Sequence, residues 1–257
     1  MELGLLVVLG TVAFAGGVVV TSVGPGGIFV VAALYGLTAL PTAVVAGTSS
    51  VTFVGGSLLG AAGYARSGDM DWALALIIGS GGALGTRVGV FLNALISRGA
   101  FGVLLGALLG AVGVTIVLRE RGYLDRLPTL DVAPSSPAGI AVFGTIGLAI
   151  GTAGGLFGIG GAALVPPALV LVGVPMIAAL AVTQITVVFI AAAAAISYTV
   201  QGAIAVPLVF VVAGAYLLGA VGGWRLAKHV DPSRLVVLLG AMLIGLMPAL
   251  VYRSLSM

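Results

Sequence analysis

Two glycine-rich breaks, each followed by a cluster of hydroxyl and amide side chains, are the residues of this chain best suited to chemistry. The first break is Val23-Gly24-Pro25-Gly26-Gly27 and the second is Phe157-Gly158-Ile159-Gly160-Gly161; Gly26 and Gly160 are 134 residues apart. Each lies inside an apolar stretch. A helix starting just after such a break presents unpaired N–H groups and a partial positive charge. Glycine lets the chain turn tightly and lets a ligand approach the backbone. The expected chemistry is anion binding at Gly24, Gly26, Gly27, Gly158, Gly160 and Gly161, where two positive helix ends converge. The competing reading is that these glycines only permit a kink and close packing.

The polar clusters that follow are Gly47-Thr48-Ser49-Ser50 with Thr52, and Thr183-Gln184-Ile185-Thr186. Hydroxyls and amides donate to an oxyanion without the penalty of burying a full charge. Thr48, Ser49, Ser50, Thr183, Gln184 and Thr186 therefore join the glycines as candidate substrate contacts. Serine and threonine also bond their own helix backbone, which is the structural alternative for either cluster alone. Arg87 and Arg225 occupy equivalent positions and either snorkel to an interface or attract an anion at a vestibule. Asp69 and Asp71 sit beside Trp72, where an interfacial anchor is the expected role. The single histidine, His229, lies in a basic loop with Lys228 and Asp231 and reads as solvated.

Several chemistries are excluded. No Asp or Glu falls within a predicted span, so an ordinary carboxylate proton relay is missing. Cysteine is absent, which removes disulfides and thiolate metal sites. No serine–histidine or metal-ligand constellation falls within the membrane, so neither catalysis nor a cofactor is expected.

The elements that position these residues follow from composition. Of 257 residues, 61% are hydrophobic and 7% charged, with a mean hydropathy of +1.32. A soluble domain carries about 25% charged residues. No charge lies between Glu2 and Arg66, or between Asp131 and Arg225, and about 20 apolar residues suffice to cross a bilayer. The runs are continuous and not alternating, which selects helices over a barrel. The 42 glycines suit close helix packing, as in Gly106 to Gly110 and Gly219 to Gly223. The first apolar segment starts at Leu3 without a basic n-region or clear cleavage site and reads as retained structure. The net charge of +3 suggests anionic lipid headgroups, and no basic stripe suggests nucleic acid.

The chain divides into a repeat at 1–118, a polar linker at 119–137 and a second repeat at 138–257. The first half has a broken stretch, Leu3–Leu40, ending at Pro41, then helices near Thr42–Ala65, Asp71–Ile96 and Phe101–Leu118. The second has a broken stretch, Ala138–Val174, ending at Pro175, then helices near Met176–Val200, Val206–Ala227 and Ser233–Val251. Tyr64 matches Tyr198 at the same offset of 134, and Arg87 matches Arg225 at 138. As one helix, the first broken stretch would be about 57 Å long, so a re-entrant hairpin is preferred. If each hairpin returns to its starting side, the basic residues divide seven to three, as the positive-inside rule favours. The larger group is Arg66, Arg119, Arg121, Arg126, Arg225, Lys228 and Arg234; both termini then lie outside. The fold class is an all-α polytopic integral membrane protein of two tandem inverted repeats, each a Gly-broken helical hairpin followed by three transmembrane helices.

Gly158-Ile159-Gly160-Gly161, Leu164-Val165-Pro166 and then Pro175 resemble the GxGG-x-L-x-x-P signature of the sulfite exporter TauE/SafE family. The first half carries a weaker form, Gly24-Pro25-Gly26-Gly27, with Ala32 where proline is expected. Ala46-Gly47-Thr48-Ser49 and Gly68-Asp69-Met70-Asp71-Trp72 are similar to the family's A-x-x-T-S and G-x-V-D-W runs. The resemblance spans nearly the whole chain. It implies a multi-pass permease of the prokaryotic inner membrane for small sulfur-containing anions such as sulfite or organosulfonates. Gln184 standing where the first repeat has Ser49, and Pro25 in the first glycine run, make the half-sites chemically unequal.

The reading is thus a secondary anion transporter, not an enzyme, working by alternating access with its site at the hairpin tips. An anion channel without a coupling ion is the alternative, and a non-transport membrane enzyme or assembly factor a third. Its partners are a small anion and the lipid bilayer, with assembly into a homo-oligomer left open.

Overall fold

A computed structural model of the chain describes residues 3–22, 25–68, 70–122, 132–226 and 232–256. Ten α-helices run through them: α1 Leu3–Ser22, α2 Ile28–Leu37, α3 Thr42–Ser67, α4 Trp72–Leu95, α5 Arg98–Glu120, α6 Pro137–Phe157, α7 Val165–Leu171, α8 Met176–Val200, α9 Val206–Leu226 and α10 Pro232–Leu255. A 3-10 turn, Pro25–Gly27, leads into α2. Seven helices (α1, α3, α4, α5, α6, α8 and α9) are long and apolar enough to cross a bilayer. The chain is an all-helical polytopic membrane protein.

Local chemistry sets the helix ends. Asp71, expected only as an interfacial anchor, caps α4 by accepting the Leu74 N–H at 3.0 Å. Ser97 caps α5 through Ala100 N–H, so α5 begins at Arg98 and not at Phe101. Ser136 caps α6 through Gly139 N–H, with Pro137 in the first turn, where no N–H is needed. Extended Pro41 and Pro175 precede α3 and α8. The two returning limbs are unequal: α2 has 10 residues and α7 only 7.

Glycine contacts give the helix directions. Gly81, Gly85 and Gly89 of α4 lie against Gly144, Leu148 and Thr152 of α6, so the two helices run parallel. Gly10 lies beside Val211, and Gly17 meets Tyr216 and Ala220, so α1 and α9 are parallel too. Gly47 meets Tyr198 and Gly60 meets Gln184, which makes α3 and α8 antiparallel. Gly102 meets Ser254, Gly106 meets Val251 and Gly113 meets Ile244, so α5 and α10 are likewise antiparallel. At Gly81, Gly85, Gly147 and Gly151 a Cβ would strike a carbonyl of the facing helix. Small residues at this spacing let backbones touch where lipid supplies no hydrophobic drive.

The antiparallel pair α3–α8 forms the centre. Over half of the α3 span is buried (56%), against 22% for α1 at the periphery. The limb α2 folds back along α1, with Gly16 meeting both Gly26 and Val30. Tyr35 and Leu40 then lie beside Arg98 at the start of α5. The first hairpin therefore brings the chain back to the end from which α1 set out.

Candidate functional site

The two tips converge halfway along the central pair. Phe53, near the middle of α3, fills the space a Gly27 side chain would need, with its Cε1 3.0 Å from that Cβ position. The corresponding position on Gly160 lies 3.8 Å from Phe53 Cβ and 3.0 Å from Val187 Cγ1 of α8. Ile28, Phe53, Ile159, Val187 and Ala191 share one buried core. Gly24 lies outside the described residues.

The glycines serve mainly to let protein approach protein. A Cβ on Gly26 would collide with the Gly16 carbonyl, and one on Gly158 with the Ala46 carbonyl. Gly161 is closed off by Ile190 and Ile150, at 2.9 and 3.0 Å. Backbone shape also demands glycine at the second tip, where Gly158, Gly160 and Gly161 have φ of 71°, 64° and 82°. What this turn leaves open is its donors. Among the described residues, the backbone N–H groups of Gly160 and Gly161 make no hydrogen bond, although both residues are buried.

The hydroxyl clusters divide sharply. Ser49 donates to the Val45 carbonyl at 2.8 Å, Ser50 to Ala46 at 2.8 Å, Thr52 to Thr48 at 3.0 Å and Thr183 to Ala179 at 2.6 Å. Each proton is committed to the helix that carries it. Thr48 instead accepts the Ala205 N–H at 3.1 Å, tying the start of α9 to α3. Gln184 packs its amide against Gly60 across the α3–α8 contact. The Tyr64–Tyr198 register sets Gln184 against Ser50, and not Ser49.

Thr186 differs from them all. Its side chain is fully buried, and its Oγ1 has no hydrogen-bond partner. Its neighbour Val187 touches the Gly160 turn, and Ile190, one helical turn on, covers Gly161. A buried, unpaired hydroxyl carries a desolvation penalty of about 1–3 kcal/mol, and this one sits one residue before Val187 and one helical turn before Ile190, the α8 side chains that pack on the Gly160–Gly161 turn.

The second tip is braced by residues that the sequence reading passed over or noted only as repeat markers. Tyr198 donates its hydroxyl to the Gly155 carbonyl at 2.7 Å, and Asn93 Nδ2 donates to Leu156 at 2.7 Å. Thr42 donates to Asn93 Oδ1 at 3.2 Å. The Gly155 and Leu156 carbonyls near the end of α6 are thus satisfied. An asparagine inside an apolar span was the available signal, because such groups act as interhelical glue.

The first hairpin is clamped at its far end. Arg98 donates to the carbonyls of Tyr35 (3.0 Å), Thr38 (2.6 Å) and Leu40, and its guanidinium stacks on the Tyr35 ring at 5.0 Å. Tyr35 in turn donates to the Arg98 carbonyl at 3.0 Å and pairs with Ser254 Oγ at 2.8 Å. A cation at this carbonyl end stabilises α2 through its dipole.

Arg87 lies on the outward face of α4 with Leu84, Val88 and Phe91, away from the tips. The Arg225 side chain, Asp69, Lys228, His229 and Asp231 lie outside the described residues. Among the described residues, no three His, Cys, Asp or Glu side chains come together as a metal site.

The family model described as "Sulfite exporter TauE/SafE" matches residues 9–250. The "Probable membrane transporter protein YunE" of Bacillus subtilis (strain 168) is 27% identical over 189 residues, covering 66% of this chain and 68% of that protein. No solved structure matches the chain.

Proposed function

The chain belongs to the sulfite exporter TauE/SafE family, and from that premise we propose a secondary transporter of small sulfur-containing oxyanions in the prokaryotic cell membrane, with its site at the paired hairpin tips. The observation that carries the site is Thr186, a buried hydroxyl with no partner. With the Gly160 and Gly161 N–H groups it makes a donor set suited to an anion that has no buried cation to pair with. The start of the 10-residue helix α2 adds a positive helix end from the other side.

The helix directions support a pair of inverted repeats. Exchanging the first five helices for the last five turns the α1–α9 contact into α6–α4 and returns α3–α8 and α5–α10 to themselves. In that arrangement Arg66, Arg119 and Arg121 share the end that faces the cytoplasm, and Arg98 and Arg253 share the other. Alternating access then consists of one half rocking about the α3–α8 pair while the tips keep hold of the anion. Thr48, Ser49, Ser50, Thr183, Gln184 and Thr186 are the polar positions around which this happens. Thr186 is the direct donor, and the self-bonded hydroxyls act as spacers.

The test is uptake of sulfite and of short sulfonates into proteoliposomes. A carrier shows saturable counterflow of labelled against unlabelled anion. An ohmic current with no counterflow supports the channel alternative, for which the absence of acidic residues from the interior of the described spans is the favouring feature.

A further inference from the structure

A second site lies away from the tips, in an apolar groove of about 850 Å³ between hairpin α1–α2 and α10. Its α10 wall is a regular stripe, Leu239, Met242, Leu246 and Ala249/Leu250, which ends in Arg253 and Ser256. The facing wall is built from α1 and from α2, including Phe29 and Ala33. The polar lining residues are Tyr252, Arg253 and Ser256, all on the last turns of α10 or just beyond. From Leu239 to Arg253 the groove follows α10 for about 21 Å, more than one leaflet of a hydrocarbon core about 30 Å thick. Pro248, inside α10, removes the N–H that would bond the Ile244 carbonyl.

We propose that this groove binds one anionic phospholipid, its acyl chain along the α10 stripe and its phosphate on Arg253. Charge decides the occupant. A purely apolar groove would take any lipid tail, but here the single cation stands at the membrane end of the stripe. Tyr252 beside it is 78% exposed, as suits an aromatic side chain at headgroup level. A bound lipid would form part of the wall beside α2, the limb that carries the first tip. The inference does not depend on what the tips transport.

The test is native mass spectrometry of the full-length protein in detergent with phosphatidylglycerol or phosphatidylcholine, beside wild type, Arg253→Gln and Ala33→Phe. The expected result is a retained phosphatidylglycerol, a preference over phosphatidylcholine reduced about fivefold by Arg253→Gln, and loss of binding of both lipids in Ala33→Phe. Arg253→Gln alters an exposed side chain and keeps the test valid if Ala33→Phe fails to fold. Equal retention of both lipids, an unchanged preference in Arg253→Gln, or a dimer that excludes lipid from this groove would overturn the proposal.

Discussion

At the scale of single residues, the structure separates hydroxyls that look alike in sequence. Thr183 and Thr186 stand three apart in one cluster, yet Thr183 donates to its own helix while Thr186 has no partner. Thr186→Val is expected to leave thermal stability unchanged or raised, since it removes an unsatisfied buried group, and to weaken anion binding by about tenfold or more. Thr183→Val should change binding far less; isothermal titration with sulfite separates the two. Thr48→Val strips the acceptor from a partly buried N–H at Ala205 and should destabilise by about 1 kcal/mol, so lost flux in that variant would report folding as well as chemistry. Tyr198→Phe leaves the Gly155 carbonyl unpaired and should destabilise to a similar degree, measured as a lowered melting temperature. The sequence identified the clusters but not this division. Which carbonyl a threonine reaches depends on one side-chain torsion and on the local neighbours, and neither leaves a mark in residue order.

At the scale of elements, the broken stretches and the proline-led starts of α3 and α8 were legible. Charge-free length, Gly-Pro punctuation and turn residues report them directly. The unequal returning limbs and the parallel contacts α4–α6 and α1–α9 were not legible, because they join segments from different halves whose apolar faces look the same to any neighbour. Gly158→Ala tests the second tip. It needs φ of 71° and places a methyl against the Ala46 carbonyl, so the folded fraction in size-exclusion chromatography should fall steeply. Gly214→Ala, in open space on α9, should leave the elution profile unchanged and serves as the matched control. Arg98 lies between these scales: its interest comes from the carbonyls it holds at the end of α2 and just beyond, more than 55 residues away.

At the scale of the whole molecule, the repeat offset of 134 was legible from matched residues, and the charge count favoured hairpins that return to their starting side. How the hairpins and the entire chain lie across a membrane rests on positive charge alone. Because the chain contains no cysteine, single cysteines report sidedness without background. Ser97→Cys is expected to react with an impermeant maleimide in intact cells, and Gly122→Cys only after permeabilisation. The most direct test of the central claim, an anion carrier centred on Thr186, is counterflow of radiolabelled sulfite in proteoliposomes of wild type and Thr186→Val at matched protein content. The account predicts saturable counterflow in the wild type, reduced about tenfold or more in the variant at low substrate. Equal counterflow in both proteins would contradict it.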